Sequence, residues 1–231
     1  MKLYKKIIAW AILSIILQIG GLFVLDNFVF KHSSKFKSNK IDIEKQNTKD
    51  INVIIPNGAE NVNISYNGKY LTYYENDTLY IEESKTGTKT EVKTEDNGEI
   101  LYYKWLSDRD RLIIAEKVVK DGETVIQLIT YSPKDSSVSY VTSICDYEDD
   151  MKVMKITEST FTSVYYVDIY RGGLKSMVYR IDINNDKSKV SLQASVLGNM
   201  QVIPHVDRLV YEDEINNKFY VTSPNKQLTF N

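Results

Sequence analysis

The sequence predicts an all-β domain carried behind one membrane-spanning α-helix. Three observations predict it. An apolar run, Ile7 to Leu25, follows Lys2, Lys5 and Lys6 near the amino terminus. The composition leans toward strands: there are 17 Tyr among 231 residues, with frequent Ile, Val and Thr. One pattern of short strands and polar turns recurs four times after residue 51. Only four Pro and ten Gly are present, which excludes low-complexity classes.

The helix comes first. Ile7–Leu25 is 19 residues long, with only Ser14 and Gln18 as mild polar interruptions. At about 1.5 Å per residue this nearly crosses a ~30 Å hydrocarbon core. Asp26 marks the far end, and Phe28 and Phe30 extend the apolar surface into the interface, so the span is placed at 7–30 behind a tail of residues 1–6. A cleaved signal peptide would have a shorter apolar region and a small-residue cleavage site. The stretch Asp26-Asn-Phe-Val-Phe-Lys31 offers none, and no cysteine follows for lipid attachment. An uncleaved anchor is therefore expected. Lys31, Lys35 and Lys37 balance the three lysines before the helix, so the positive-inside rule alone does not orient it. The very short basic tail favours a single-pass protein of the cell membrane, tail inside and carboxy-terminal domain extracytoplasmic.

Residues 31–50 are polar and Lys-rich without apolar periodicity, and read as a stalk. His32 lies within it as an incidental juxtamembrane residue. The net charge of -2 hides an asymmetry: residues 1–50 carry nine Lys against four acids, and the remainder is acidic. An acidic domain on a basic stalk excludes a nucleic-acid binder, which needs a basic face toward phosphate.

Residues 51–231 hold the repeat. "NGKYLTYYENDTLYIEESKTGTKTEV" reads as strands joined at Glu75-Asn-Asp and Lys85-Thr-Gly. "DRDRLIIAEKVVKDGETVIQLITYSPKDSSVSYV" keeps the same order. The third copy turns at Arg171-Gly-Gly and Asn184-Asn-Asp, and the fourth at Asn216-Asn and Pro224-Asn-Lys. One more strand precedes each copy: Asn61–Tyr66, Ile100–Trp105, Met151–Thr157 and Met200–Val206. The expectation is a propeller-like stack of about four four-stranded antiparallel units, because a lone meander cannot bury both of its faces. Ile51–Ile55 and Leu228–Phe230 both read as outer strands, although strand exchange at a ring closure needs only one. Closure is left open on these grounds.

The tip Ser65-Tyr-Asn-Gly-Lys69 resembles the Ser-Pro-Asp-Gly-Lys tip of TolB-type and WD40-like propellers, and the terminal "KQLTFN" resembles their outer-strand segment. Ser107–Arg111 after Trp105 fits more loosely, and the third copy fits weakly. Similar repeats form the propeller of the dipeptidyl-peptidase IV family. That family's hydrolase elbow, G-x-S-x-G, is absent from the sequence.

The chemical inventory is sparse. Cys145 is the only cysteine and reads as a small buried residue. His205 is the only histidine after residue 50, so His-pair metal sites are excluded, and it reads as a loop histidine. Asp182-Ile-Asn-Asn-Asp186 opens like a calcium loop, but Lys187 stands where glycine is needed and Gln193 replaces the closing glutamate. Asp146–Asp150 reads as a solvated acidic connection. Tyr73-Tyr74, Tyr102-Tyr103 and Tyr165-Tyr166 put neighbouring rings on opposite faces, one packed and one at the surface. Asn225 reads as an outer-turn residue of little energetic weight. No residue is assigned a catalytic, cofactor-binding or metal role. The sequence therefore points to a non-catalytic binding or scaffold module. Its expected partners are the bilayer and another envelope protein or cell-wall polymer. The alternative is a regulatory propeller of a hydrolase whose catalytic domain lies on another chain.

Overall fold

The computed structural model describes residues 2–25, 53–94, 97–173 and 175–229. The chain divides into two compact units, Met1–Asn47 and Thr48–Asn231. The first contains α1, Lys2–Val24. Its apolar side chains, among them Ile7, Trp10, Leu17 and Phe23, are exposed around the whole circumference. Within it Tyr4–Val24 is long and apolar enough to cross a membrane. The expected stalk, and Phe28 and Phe30, lie outside the described residues.

The second unit consists of four four-stranded antiparallel sheets. The first holds β1 (Glu60–Ile64), β2 (Tyr70–Glu75), β3 (Thr78–Glu83) and β4 (Lys89–Glu91). The second holds β5 (Glu99–Trp105), β6 (Leu112–Lys120), β7 (Glu123–Ser132) and β8 (Ser137–Asp146). The third holds β9 (Lys152–Ser159), β10 (Val164–Tyr170), β11 (Ser176–Ile181) and β12 (Lys187–Lys189). The fourth holds β13 (Leu197–Val202), β14 (Leu209–Asp213), β15 (Lys218–Val221) and β16 (Lys226–Gln227).

Each sheet is a meander of consecutive strands because its turns are chemically suited to tight reversal. Asn76 and Asp77 both take positive φ between β2 and β3, as a primed two-residue hairpin requires. Asp121-Gly122 do the same between β6 and β7. The outer-strand expectations resolve unequally. Val53–Ile55 belong to no strand, and Ile51 and Asn52 lie outside the described residues. Leu228 N–H donates to Phe219 O at 2.7 Å, so the chain beyond β16 continues the fourth sheet's ladder. Since each sheet is completed by its own neighbours in sequence, the described strands show no exchange between chain ends.

The sheets stack face to face in chain order, with one apolar cluster at each junction. Tyr70, Leu79 and Ile81 meet Tyr103, Trp105 and Ile114 between the first two sheets. Ile113, Ile126 and Leu128 meet Ile156, Val167 and Ile169 between the second and third. Tyr166 and Val178 meet Met200, Leu209 and Tyr211 between the third and fourth. Among the described residues no such cluster joins the first sheet to the fourth. Every sheet uses alternate residues for its two faces, so we call the face turned to the next sheet its front and the other its back.

Candidate interaction surface

The first two strands of each sheet are joined by a four-residue tip, and a backbone hydrogen bond closes each tip where the strands end. Ser65 N–H donates to Tyr70 O at 2.9 Å, Leu106 N–H to Arg111 O at 2.9 Å and Ile203 N–H to Arg208 O at 2.9 Å. In the third sheet Ser159 pairs with Val164. Face-to-face stacking brings all four tips to one end of the unit, and side chains tie them together. Asn67 Nδ2 donates to Asp110 Oδ2 at 2.7 Å, linking the first tip to the second. Lys104 Nζ and Ser107 Oγ both reach Glu158, at 2.7 and 2.8 Å, linking the second sheet to the third. Ser159 Oγ donates to Pro204 O at 2.7 Å, linking the third to the fourth.

Asp207 joins the fourth tip to the third sheet. Its carboxylate accepts from Tyr166 at 2.6 Å and from Arg180 Nε at 2.7 Å. Burial pushes the Asp207 carboxyl up, but the hydrogen bonds from Arg180 and Tyr166 outweigh it and hold it below the ordinary carboxylate range. Burial and the same bond raise the Tyr166 phenol, so it stays protonated as a donor.

Above this polar base the tips expose large rings. Tyr66 and Phe161 are exposed, as is Val206. The Phe161 ring lies 4.2 Å, centre to centre, from that of His205. An exposed aromatic set on a rigid polar base suits recognition of another macromolecule, where rigid rings supply contact area at little entropic loss.

The residues weighed in the sequence fall as follows. His205 is an exposed tip histidine. Asp182 forms a hairpin turn, its carboxylate accepting from the backbone N–H of Asn184 at 2.9 Å and of Asp186 at 3.1 Å. In the Asp146–Asp150 connection Glu148 pairs with Arg171. Cys145 is half-buried in β8, and burial pushes its thiol up, away from the reactive thiolate. The tyrosine pairs do straddle their sheets. Both rings of every pair are packed, however, rather than one: Tyr73 is buried and Tyr74 packs toward the second sheet. Tyr102 packs toward the third sheet and Tyr103 toward the first. Tyr165 packs toward the second and Tyr166 toward the fourth. A strand between two sheets has no solvent face, and in the first sheet Tyr73 is buried with its hydroxyl donating to Glu82, which is why the simple division fails.

Asn225 also departs from expectation. Its Oδ1 accepts from the Tyr211 hydroxyl at 2.8 Å, its Nδ2 donates to Ser191 O at 2.9 Å, and its carbonyl accepts from Gln193 Nε2 at 2.9 Å. It ties the last turn to the connection between the third and fourth sheets. Phe161 and Glu158 escaped the sequence reading because the third tip matches the repeat weakly. Aligning that tip by position rather than by residue type would have found both.

No protein-family model matches the sequence, and no curated protein matches it. Solved structures match it by fold. A putative TolB from Agrobacterium tumefaciens is similar with a TM-score of 0.50 at 15% identity, over 77% of this chain and 64% of that one. The structure of U3-55K is similar with a TM-score of 0.52 at 12% identity, over 78% and 54%. The WD40 repeats of RRP9 are similar with a TM-score of 0.52 at 11% identity, over 78% and 54%. The chain spans roughly half to two thirds of the length of these structures. Its second unit has the fold of the TolB and WD40 β-propeller proteins.

Proposed function

We propose that this chain is a non-catalytic binding module, tethered by α1 to the cell membrane, that recognises another envelope protein through its tip surface outside the cytoplasm. One observation carries the reading: four tips, cross-linked by polar contacts, present Tyr66, Phe161 and Val206 exposed at one end of the stack. The tether is supported by α1, whose apolar side chains are exposed on every side as lipid contact requires. In this reading Lys2, Lys5 and Lys6, on the amino-terminal side of α1, face the cytoplasm. Binding through tips fits a scaffold that holds loops rigidly from below.

The test uses the full chain in its own cells. A photoreactive phenylalanine analogue is placed at Phe161, and separately at Val119, which is exposed at the opposite end of the second sheet. Illumination of wall-stripped cells should give a protein adduct of discrete mass from position 161 and none from position 119. Equal adducts from both positions, or none from 161, would overturn the reading of the tip surface. Protease added outside such cells should remove the second unit. Protection until lysis would reverse the orientation.

A further inference from the structure

The four sheets repeat in register, so each position of one has a counterpart in the others. Ile64, Trp105, Glu158 and Val202 occupy one such position, each opposite the second strand's Leu71, Leu112, Tyr165 and Leu209. It lies on the back face. In three sheets the preceding sheet covers it: Trp105, Glu158 and Val202 show relative exposures of 6%, 8% and 1%. Ile64 is 63% exposed. The neighbouring back-face position repeats the contrast. Tyr103, Ile156 and Met200 are 7%, 0% and 2% exposed, and Val62 is 41% exposed. On the first sheet's back face Val62 and Ile64 are thus exposed where their counterparts are buried, while Tyr73 and Glu82 on the same face are buried, at 1% and 6%.

The fourth sheet supplies the opposite half. Its front face carries Val210, at the position where Thr72, Ile113 and Tyr166 are buried in the other sheets. Val210 is only half-buried and Gln201 beside it is exposed, while Val221, opposite Val210 on the same face, is buried. The three internal junctions show what such a front face takes. Trp105 Nε1 on a back face donates to Thr72 Oγ1 on the facing front at 3.0 Å. Lys104 on a front face bonds Glu158 on the facing back at 2.7 Å. Transferred by register, Ile64 belongs against Val210 and Gln201. Charge agrees in sign: the vacant back face carries Glu75, Glu82 and Glu91 around Lys89, and the vacant front carries Arg208 and Lys226 beside Glu212.

We propose that these two end faces are the two halves of one sheet-on-sheet junction, and that a second copy of this chain supplies the missing half of each. Two stacks then close head to tail into one ring through two identical contacts. A second copy is the occupant because each chain carries both a vacant back and a vacant front. A twofold arrangement satisfies all four faces with no other component. The interface is the internal junction used once more, so it needs no new packing geometry.

The internal Lys104–Glu158 pair dictates the test. The full chain is purified in detergent, and its protein mass is measured by light scattering across a dilution series. The wild type should show twice the chain mass, falling toward one chain mass only on dilution. Ile64→Glu places an unpaired carboxylate on the vacant back face at an exposed position, so the fold should persist by circular dichroism while the mass halves. Gln201→Lys alone should leave the double mass in place. Ile64→Glu with Gln201→Lys recreates the Lys104–Glu158 pairing between copies and should restore it. In a Cys145→Ser background, Ile64→Cys with Val210→Cys should yield a disulfide-linked dimer, whereas Ile64→Cys with Val119→Cys should not. A wild type of single chain mass at all concentrations would overturn the proposal. So would a disulfide formed within one chain, which means that the stack closes on itself. Failure of Gln201→Lys to rescue Ile64→Glu, or equal cross-linking in the Val119 control, would overturn it as well.

Discussion

Asp168 is the residue whose energetics are least expected from its type. It sits in β10, inside the otherwise apolar and aromatic run Val164–Tyr170, and is buried with Val178 opposite. Its Oδ1 has no hydrogen-bond partner. Burial pushes its carboxyl up to about 7, against a hydrogen bond from Ser176 that lowers it. The folded chain therefore keeps this proton until pH approaches 7, while the unfolded chain releases it near 4. Between those values the folded state holds more protons, so raising the pH removes stability. Below about 4 both states are protonated, and above 7 both are ionised and the full loss has been taken. The window corresponds to roughly 4 kcal/mol at most. The melting temperature of the wild type should fall between pH 5 and 8, and Asp168→Asn should flatten that fall and melt higher than wild type at pH 8. Identical pH profiles for the two proteins would show that Asp168 is not the titrating group. The acid in an apolar run is visible in the sequence. What is not visible is that its cross-strand neighbour Lys155 forms no ion pair with it and that the fourth sheet buries it.

Strands and turns were largely legible because their signals are local. Asn-Asp, Asp-Gly and Gly-Gly pairs mark the hairpins at Asn76, Asp121 and Gly172 through the positive φ they tolerate. The alternation of each strand told which residues share a face. It did not tell that both faces would be covered, so one ring of each tyrosine pair is expected at the surface where the sheets in fact pack both. The links between sheets were illegible for a different reason. Lys104 and Glu158 are 54 positions apart, and Gln193 and Asn225 are 32 apart. No short-range pattern encodes such pairs. This changes the contrast expected between a core position and a turn position. Ile113→Ala should destabilise by about 2–5 kcal/mol, since Ile113 is fully buried between the second and third sheets. Asn225→Ala should destabilise by about 1–3 kcal/mol, because it strips partners from the Tyr211 hydroxyl and from Ser191 O. Urea melts of both variants would check the order. A neutral Asn225→Ala would show that these bonds are replaced by water without loss, and an Ile113→Ala milder than Asn225→Ala would contradict the core assignment.

At the scale of the whole second unit, stability should be graded along the stack. A stacked array is held by the intrinsic stability of each sheet plus the junctions with its neighbours. The second and third sheets have a junction on both faces, and the first and fourth have one each among the described residues. The burial of the strands follows: β7 and β10 are almost wholly buried and β6 is buried over Leu112–Glu116, while β1, β4, β12 and β16 are exposed throughout. Local opening requires less free energy where fewer buried contacts are broken, so amide exchange should report the same gradient. In the dilute full chain, amides of β6, β7 and β10 should exchange most slowly. Those of β2 and β14, which occupy equivalent places in the end sheets, should exchange faster. Raising the concentration should slow β1, β2 and β14 selectively if a second copy covers Val62, Ile64 and Val210, and leave β6 and β7 unchanged. Uniform protection across all four sheets in the dilute chain would contradict the nearest-neighbour account. It would mean that the end sheets draw their stability from contacts other than the three apolar junctions.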